Sequence, residues 1–186
     1  MRVHRFAVVA LVGLGALGMS GCQGSNTSAD TVAPVILSES ITQGPADVDI
    51  SVPADVVITQ MIVTSKAKSP ATTLTQQDDV MLTDWVITCS RNDGGTVASP
   101  QWQNFYSVYV PAGGTANIGN YRIFPSDFFK VAPLNQLLPE NGGFDKETGK
   151  RTIRQRLHIE VFGKTVAGRA ISLVFDVNLN FFYGTP

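Results

Sequence analysis

The sequence predicts an all-β protein, an antiparallel β-sandwich of about seven short strands. Apolar and polar residues alternate with period two along most of the chain after residue 40, the spacing of a half-buried strand. Glycine (17 residues) and proline (10 residues) are frequent, which suits turns. No segment has the 3.6-residue apolar period of a long amphipathic helix. At 44% hydrophobic and 16% charged residues, the chain can bury a core.

The alternation is clearest near the C-terminus. Between Arg169 and Phe182, six apolar residues share one face, and the polar Ser172, Asp176 and Asn178 lie on the other. Residues 153–161 alternate in the same way, and the turn residues of 163–168 predict an antiparallel hairpin between the two strands. The remaining strands are expected at 47–52, 56–64, 80–90, 103–110 and 115–124. Residues 125–151 interrupt the pattern and predict a loop or short-helix insertion.

The strand Asp84-Trp85-Val86-Ile87-Thr88-Cys89, with Gly94-Gly95-Thr96-Val97 after it, resembles the tryptophan strand and following turn of bacterial Ig-like repeats. The resemblance implies an Ig-like β-sandwich in which Trp85 fills the space between the sheets. Such domains are mostly non-enzymatic scaffolds or binding modules of the cell envelope. The long insertion departs from a compact repeat, and the inter-sheet disulfide of antibody domains is excluded because Cys89 has no second core cysteine opposite it.

The N-terminus has the order of an export signal: Arg2 and Arg5, then an apolar run of 13 residues from Phe6 to Gly18. The run is too short to span a bilayer. Met19-Ser20-Gly21-Cys22 resembles the lipobox of bacterial lipoproteins, although that family usually has leucine where Met19 stands. The resemblance implies cleavage before Cys22, which would carry diacylglycerol, and two acyl chains anchor a protein stably. The alternative is an ordinary signal peptide with an incidental cysteine.

These features divide the chain into a lipoprotein signal peptide (1–21), a flexible tether (22–40) and an Ig-like domain (41–186). Gln23 follows the lipidated position where aspartate would indicate inner-membrane retention in enterobacteria, so an outer-membrane location is expected in a diderm organism. About 18 tether residues give a root-mean-square reach of roughly 23 Å. Residues 13–18 match the dinucleotide fingerprint G-x-G-x-x-G, but they lie in the leader and predict no cofactor site. Cys89 is left unpaired and is expected in the core.

Catalytic and metal-binding residues are scarce. His158 is the one histidine after the leader, and no G-x-S-x-G surrounds a serine of the mature chain. One cysteine and one histidine cannot form a zinc site. Two weaker readings stay open: calcium binding at Asn141, Asp145 and Glu147, and paired carboxylates for glycoside hydrolysis among Asp78, Asp79 and Asp84. Residues of these types are more often found in solvated turns and at strand edges, so we expect no enzyme activity, no metal and no cofactor.

Charge excludes one class of partner and suggests another. Fourteen basic against fifteen acidic residues give a net charge of −1, which lacks the basic excess of a nucleic-acid binder. Arg154, Arg156 and His158 share the outward face of one strand as a positive ridge, suited to anionic lipid, lipopolysaccharide or an acidic glycan. Alternatively, these charges protect an exposed strand from pairing with other chains.

Two apolar groups are candidate contact surfaces. The insertion contains apolar residues that either fold over an open end of the sandwich or form a patch for a partner: Phe128, Phe129, Val131, Leu134, Leu137 and Leu138. Phe105 and Tyr109 share one strand face, with Tyr106 on the other, and suggest a glycan platform or core packing. The sequence therefore predicts a lipid-anchored, non-enzymatic binding or structural module of the envelope, whose partner is an envelope protein or glycan. The alternative is a periplasm-facing accessory subunit docked through residues 125–139.

Overall fold

Alternating apolar and polar residues form eight strands in the computed structural model, which describes residues 32–44 and 46–184. The strands are β1 (Val35–Gln43), β2 (Asp47–Asp49), β3 (Val56–Ala67), β4 (Val80–Arg91), β5 (Trp102–Val110), β6 (Thr115–Phe124), β7 (Thr152–Thr165) and β8 (Ala170–Phe182). All seven predicted strands are present, and the predicted hairpin is confirmed because β7 and β8 pair antiparallel along their whole length.

The strands form two sheets that enclose one core, so the predicted all-β sandwich is confirmed. The three-stranded sheet has the order β1-β3-β6, and the five-stranded sheet has the order β2-β8-β7-β4-β5. Neighbouring strands are antiparallel, except that the short β2 pairs parallel to β8. Each sheet turns one face to the core and the other to solvent, which is why the sequence alternates with period two.

Trp85 lies at the centre of this core. It has no exposed surface, and its ring contacts that of Tyr121 in the opposite sheet with centroids 4.2 Å apart. The indole N–H donates to the carbonyl oxygen of Tyr106 on the neighbouring strand at 2.9 Å, so the buried donor is satisfied. Cys89 is buried on the same face as predicted, and burial raises the pKa of its thiol to about 12.

A β-bulge in β4 turns Trp85 inward. Val80 and Leu82 are buried, and strict alternation would then turn Asp84 inward and Trp85 outward. The register against β7 shifts between Leu82 and Asp84, so one extra residue, Thr83, is inserted at this point. The inward face consequently changes from even to odd positions, and Trp85 enters the core.

Gly163 lies opposite the bulge, paired with Leu82. A Cβ atom at Gly163 would collide with the carbonyl oxygen of Met81 and would lie 2.8 Å from the Cα atom of Leu82. These are backbone atoms of a central strand and cannot move aside as a flexible side chain could. The close approach of β4 to β7 at the bulge therefore requires glycine at this position.

The N-terminal boundary of the domain differs from the prediction. Residues 35–40 were assigned to the tether, but they belong to β1, which pairs with β3 from Val35 onward. Val35 and Leu37 are fully buried and Ala33 is 1% exposed, so this segment contributes to the core. Residues 35–40 therefore do not belong to a tether, because the polar residues Ser38 and Ser40 occupy the outward positions of a strand. Residues 1–31, which include the predicted signal peptide and Cys22, lie outside the described residues.

The insertion covers one end of the core. It contains three short 3₁₀ turns, at Ser126–Lys130, Leu134–Leu137 and Pro139–Asn141. The ring of Phe129 stacks on that of Phe124 with centroids 6.0 Å apart and meets that of Phe181 at 6.3 Å. The described residues include no helix with the length and apolar character needed to cross a bilayer.

Replacing Gly163 by alanine tests the bulge. We expect Gly163→Ala to lower the free energy of unfolding by about 1–3 kcal/mol, because the added methyl group forces β4 away from β7. Gly119→Ala in β6 is the matched control, since a Cβ atom there would lie 3.7 Å from the nearest atom, the carbonyl oxygen of Thr59. Urea unfolding followed by tryptophan fluorescence measures both variants, and equal stability of the two would contradict the account of the bulge.

Candidate binding surface

The outer face of the five-stranded sheet carries two neighbouring cross-strand rows of side chains. In the first row, Met81 of β4 pairs with Tyr109 of β5 and with Lys164 of β7. In the second row, Asp84 of β4 pairs with Phe105 of β5 and with Phe162 of β7. The bulge at Thr83 lies between the rows and keeps Met81 and Asp84 both outward. Each row therefore has a charged residue and two large apolar ones.

The four large apolar residues of these rows form the outer patch, defined as Met81, Phe105, Tyr109 and Phe162. Their exposed fractions are 41%, 75%, 50% and 43%, in that order. Single exposed apolar residues are common on soluble proteins, but four in two neighbouring rows of one sheet face are a concentration of the kind found at interaction sites. The patch is therefore the strongest candidate for a binding surface among the described residues.

Hydrogen bonds hold the side chain of Tyr109 and the backbone of β5 beside Phe105. The hydroxyl of Tyr109 donates to Oδ2 of Asp79, whose Oδ1 accepts the backbone N–H of Ala112 at 2.8 Å. These hydrogen bonds from the Tyr109 hydroxyl and the Ala112 amide lower the pKa of Asp79, and the carboxylate in turn raises the pKa of Tyr109. Beside Phe105, the Trp85 indole holds the carbonyl of Tyr106. The Tyr109 ring, held by its hydroxyl, loses little conformational entropy on binding.

The aromatic residues of β5 divide as the sequence predicted. Phe105 and Tyr109 are exposed on the outer face, whereas the ring of Tyr106 packs 5.3 Å from that of Tyr121 and 6.2 Å from that of Trp85. The sequence analysis did not single out Met81 or Phe162. A signal was present, because Phe162 occupies an outward position whose neighbours along the strand, Glu160 and Lys164, are charged.

The three residues of the predicted positive ridge do lie together on the outward face of β7. Acidic neighbours offset their charge: Nδ1 of His158 lies 2.8 Å from Oδ1 of Asp176, and Nε2 lies 3.8 Å from Glu160. Asp176 also lies 4.0 Å from a guanidinium nitrogen of Arg156. The face is thus a mixed array of charges, and it is less positive than the sequence analysis expected.

Arg154, the third ridge residue, borders a small polar cavity. The cavity has a volume of about 400 Å³ and lies at the end of β4 and β7; it is lined by Asn92, Asp93, Lys150, Thr152 and Arg154. Two cations and an amide suit an anionic group, so anion binding stays a prediction at this place and not along the whole ridge. The Asp93 carboxylate repels an anion there only weakly, because its charge is offset by the ion pair with Arg91.

The predicted partner patch in the insertion is wrong for most of its members. Phe129, Leu134 and Leu137 are at most 3% exposed, and Phe128 and Leu138 pack against the same core. Of the apolar residues considered there, only Val131 is exposed, at 39%. The segment thus folds over the open end of the sandwich, which is the first of the two alternatives that its composition predicted.

Arg91 organises a buried ionic network that the sequence analysis missed. Its side chain is 1% exposed; its Nε and NH2 groups donate to the two oxygens of Asp93 at 2.8 and 2.9 Å, and NH2 donates also to Asp145 at 2.8 Å. Glu147 lies 3.6 Å from the same guanidinium and accepts the backbone N–H groups of Thr96 and Val97. The network therefore ties the insertion to the end of β4.

The network gives two of the three residues considered for calcium a structural role. Asp145 and Glu147 are bonded to Arg91, and a guanidinium at this place repels a cation. Asn141 donates to the carbonyl of Asn135 and shares no contact with them. No group of three or more potential metal ligands is found among the described residues.

The three aspartates considered for hydrolysis also have structural partners. Asp78 caps a 3₁₀ turn by accepting the backbone N–H of Thr75 at 3.0 Å, and Asp79 binds Tyr109 and Ala112. Asp84 accepts the hydroxyl of Thr83 at 2.7 Å, within the bulge. Each carboxylate thus accepts hydrogen bonds that stabilise a turn or a strand, as is usual for aspartates at such positions.

Burial and ion pairing act in opposite directions on Asp93. Burial would raise the pKa, but hydrogen bonds from Arg91 and from the backbone N–H groups of Arg154 and Gly95 lower the pKa of Asp93 to about 2. An unfolded aspartate has a pKa of about 3.9, so the network stabilises the fold above about pH 4. This stabilisation is lost as the pH falls through the folded pKa, because the unfolded state binds the proton first.

Comparison with known proteins does not assign the chain to a group: no protein-family model matches it, and no significant match is found among curated proteins.

Replacing Arg91 by methionine tests the ionic network. We expect Arg91→Met to lower the free energy of unfolding by about 3–5 kcal/mol, since Asp93 and Asp145 would remain buried without their partner. Arg156→Met is the matched control: its ion pair with Asp176 is about half exposed, and such pairs contribute at most about 1 kcal/mol. Urea unfolding at pH 7 measures both, and a loss for Arg91→Met no larger than for the control would contradict the structural role of the network.

Proposed function

We propose that the protein is a lipid-anchored module of the bacterial cell envelope that acts by binding, through the outer face of its five-stranded sheet, and not by catalysis. The outer patch is the observation that carries this proposal, since it exposes four large apolar side chains in two neighbouring rows of one sheet face. The carboxylates considered for catalysis are held by structural partners, which favours binding over chemistry.

We further propose that the domain is Ig-like, and the order of its strands supports this. Ig domains place strands A, B and E in one sheet and C, F and G in the other. The orders β1-β3-β6 and β4-β7-β8 correspond to these sets, and the buried Trp85 lies on β4, the equivalent of strand C. The fold alone specifies no reaction, so the proposed activity of an Ig-like domain rests on its binding face.

The anchor in this proposal is Cys22, modified by diacylglycerol after cleavage of residues 1–21. Residues 23–31 would then lie between the lipid and the described part of the chain. Gln23 favours the outer membrane where the organism has one. The domain would stay close to the membrane surface, where partners of the envelope are concentrated.

The alternative of a periplasm-facing accessory subunit loses its main support. That hypothesis required an exposed docking segment at residues 125–139, but Phe129, Leu134 and Leu137 are buried in the core. The outer patch gives the domain a contact surface that needs no opening of the sandwich.

The lipid anchor is tested by a single substitution. We expect Cys22→Ala to move the protein out of the detergent phase in Triton X-114 partition and to abolish incorporation of labelled palmitate, because the acceptor sulfur is absent. Cys89→Ala is the control, since it removes a buried thiol and leaves the anchor intact. If the two variants partition alike, the lipoprotein assignment is wrong.

The binding face is tested by a photo-crosslinking amino acid placed in the full chain in living cells. We expect adducts when it replaces Phe105, which is 75% exposed in the outer patch, because a bound partner lies within reach of that side chain. The control position is Tyr183, 42% exposed just after β8 and outside the patch. Absence of adducts at Phe105, or an equal yield at Tyr183, would contradict a binding role for this face.

A further inference from the structure

The outer patch has the shape of a surface that meets another extended surface. The outer face of the four long strands β5, β4, β7 and β8 measures roughly 600 Å², and the patch lies at the end of this face where β7 ends and β8 begins. A stable protein interface buries about 800 Å² per partner, so the patch is the centre of a contact that extends beyond its four residues. Small ligands bind in concave sites, but the two cavities lined by Asp47 to Thr59 and by Asn92 to Arg154 contain no residue of the patch.

The two rows of the outer face are complementary to each other. The first row has Lys164 and the second has Asp84, so the rows carry opposite charges. The remaining members are large apolar side chains in both rows, with one aromatic residue at each position of β5. Consider a two-fold axis in the plane of the interface that runs across the strands, between the two rows. Rotation about this axis places the first row of each copy on the second row of the other copy.

We infer that a second copy of this chain covers the outer patch, in a face-to-face dimer related by that two-fold axis. The inference rests on the proposed function, because it names the partner of the same face. Tyr109 of each copy then packs on Phe105 of the other. Lys164 meets the ring of Phe162 and the carboxylate of Asp84 in the second copy, which combines cation–π and ionic attraction.

Self-complementarity distinguishes this partner from an unrelated protein. An isologous interface requires that one patch be complementary to itself after a two-fold rotation. The rows satisfy this condition at β5, where Tyr109 meets Phe105, and at β7, where Lys164 reaches Phe162 and Asp84. A different partner would need neither the opposite charges of the rows nor their matching apolar residues. Two sheets that meet in this way pack about 10 Å apart with their strands inclined by about 30°.

The first test places a cysteine beside the proposed axis. Ser172 of β8 pairs with Phe162 and extends the second row, so Ser172→Cys brings two thiols close enough for a short bis-maleimide in the dimer. The full chain is crosslinked in its own membranes and compared with Ser40→Cys, an exposed position of β1 in the other sheet. The parent chain sets the background, since Cys89 is buried. We expect a product of twice the chain mass for Ser172→Cys only.

The second test exchanges the charges of the rows in the Ser172→Cys background. Lys164→Glu alone and Asp84→Lys alone should each reduce the crosslinked dimer about tenfold or more, because like charges then face each other. Co-expression of the two variant chains with different tags should restore a mixed dimer to within about twofold of the parent, because each new charge again meets its opposite. Thermal unfolding of each variant separates lost association from lost folding, and the cysteine test stands without these variants.

The outcomes separate the inference from the proposed function. A crosslinked product that contains a different protein overturns the dimer and leaves the binding face in place. Absence of rescue in the mixed pair overturns the two-row arrangement. If neither Ser172→Cys nor the photo-crosslinker at Phe105 gives any product, both the dimer and the proposed function are wrong.

Discussion

The β-bulge at Thr83 in β4 is the constraint on which the rest of the structure depends. One extra residue shifts the inward positions from Val80 and Leu82 to Trp85 and those that follow it. Without the shift, the largest side chain of the strand would face solvent and Asp84 would be buried. The bulge also requires glycine at position 163, since β4 approaches β7 too closely there for a Cβ atom. A local change in the backbone thus determines the packing between the two sheets.

The same shift shapes the outer face. Because Thr83 is inserted between them, Met81 and Asp84 both point to solvent although they are three residues apart. Each aligns with an aromatic residue of β5, and Asp84 aligns with Phe162 of β7 as well. The bulge therefore determines which residues of β4 enter the core and which contribute to the outer face. A buried tryptophan fixes the backbone of β5 from within, and that backbone presents Phe105 outside, which gives a rigid surface suited to binding.

The sequence predicts the strands well because alternation is a local property. It misses β1 because Ser38, Glu39 and Ser40 resemble a tether, and the alternate burial of Val35 and Leu37 spans too few residues to stand out. The composition of the insertion does not show whether the sandwich has an open end for it to cover. It therefore leaves open whether these apolar residues are buried or exposed. The Arg91 network joins residues 54 positions apart and has no local pattern. The sequence does contain a signal for the bulge, since the large apolar residues of β4 change from even-numbered to odd-numbered positions between Leu82 and Trp85.

The central claim is that the outer face is covered in the envelope, and hydroxyl-radical footprinting tests it directly on the unaltered chain. Labelling in intact membranes is compared with labelling of the purified, dilute protein. We predict that the outer patch is labelled several-fold less in membranes, whereas Phe144 and Tyr183, of similar exposure elsewhere on the domain, are labelled equally in both. Equal labelling of the patch in the two samples would contradict the account, because it would show that nothing covers this face.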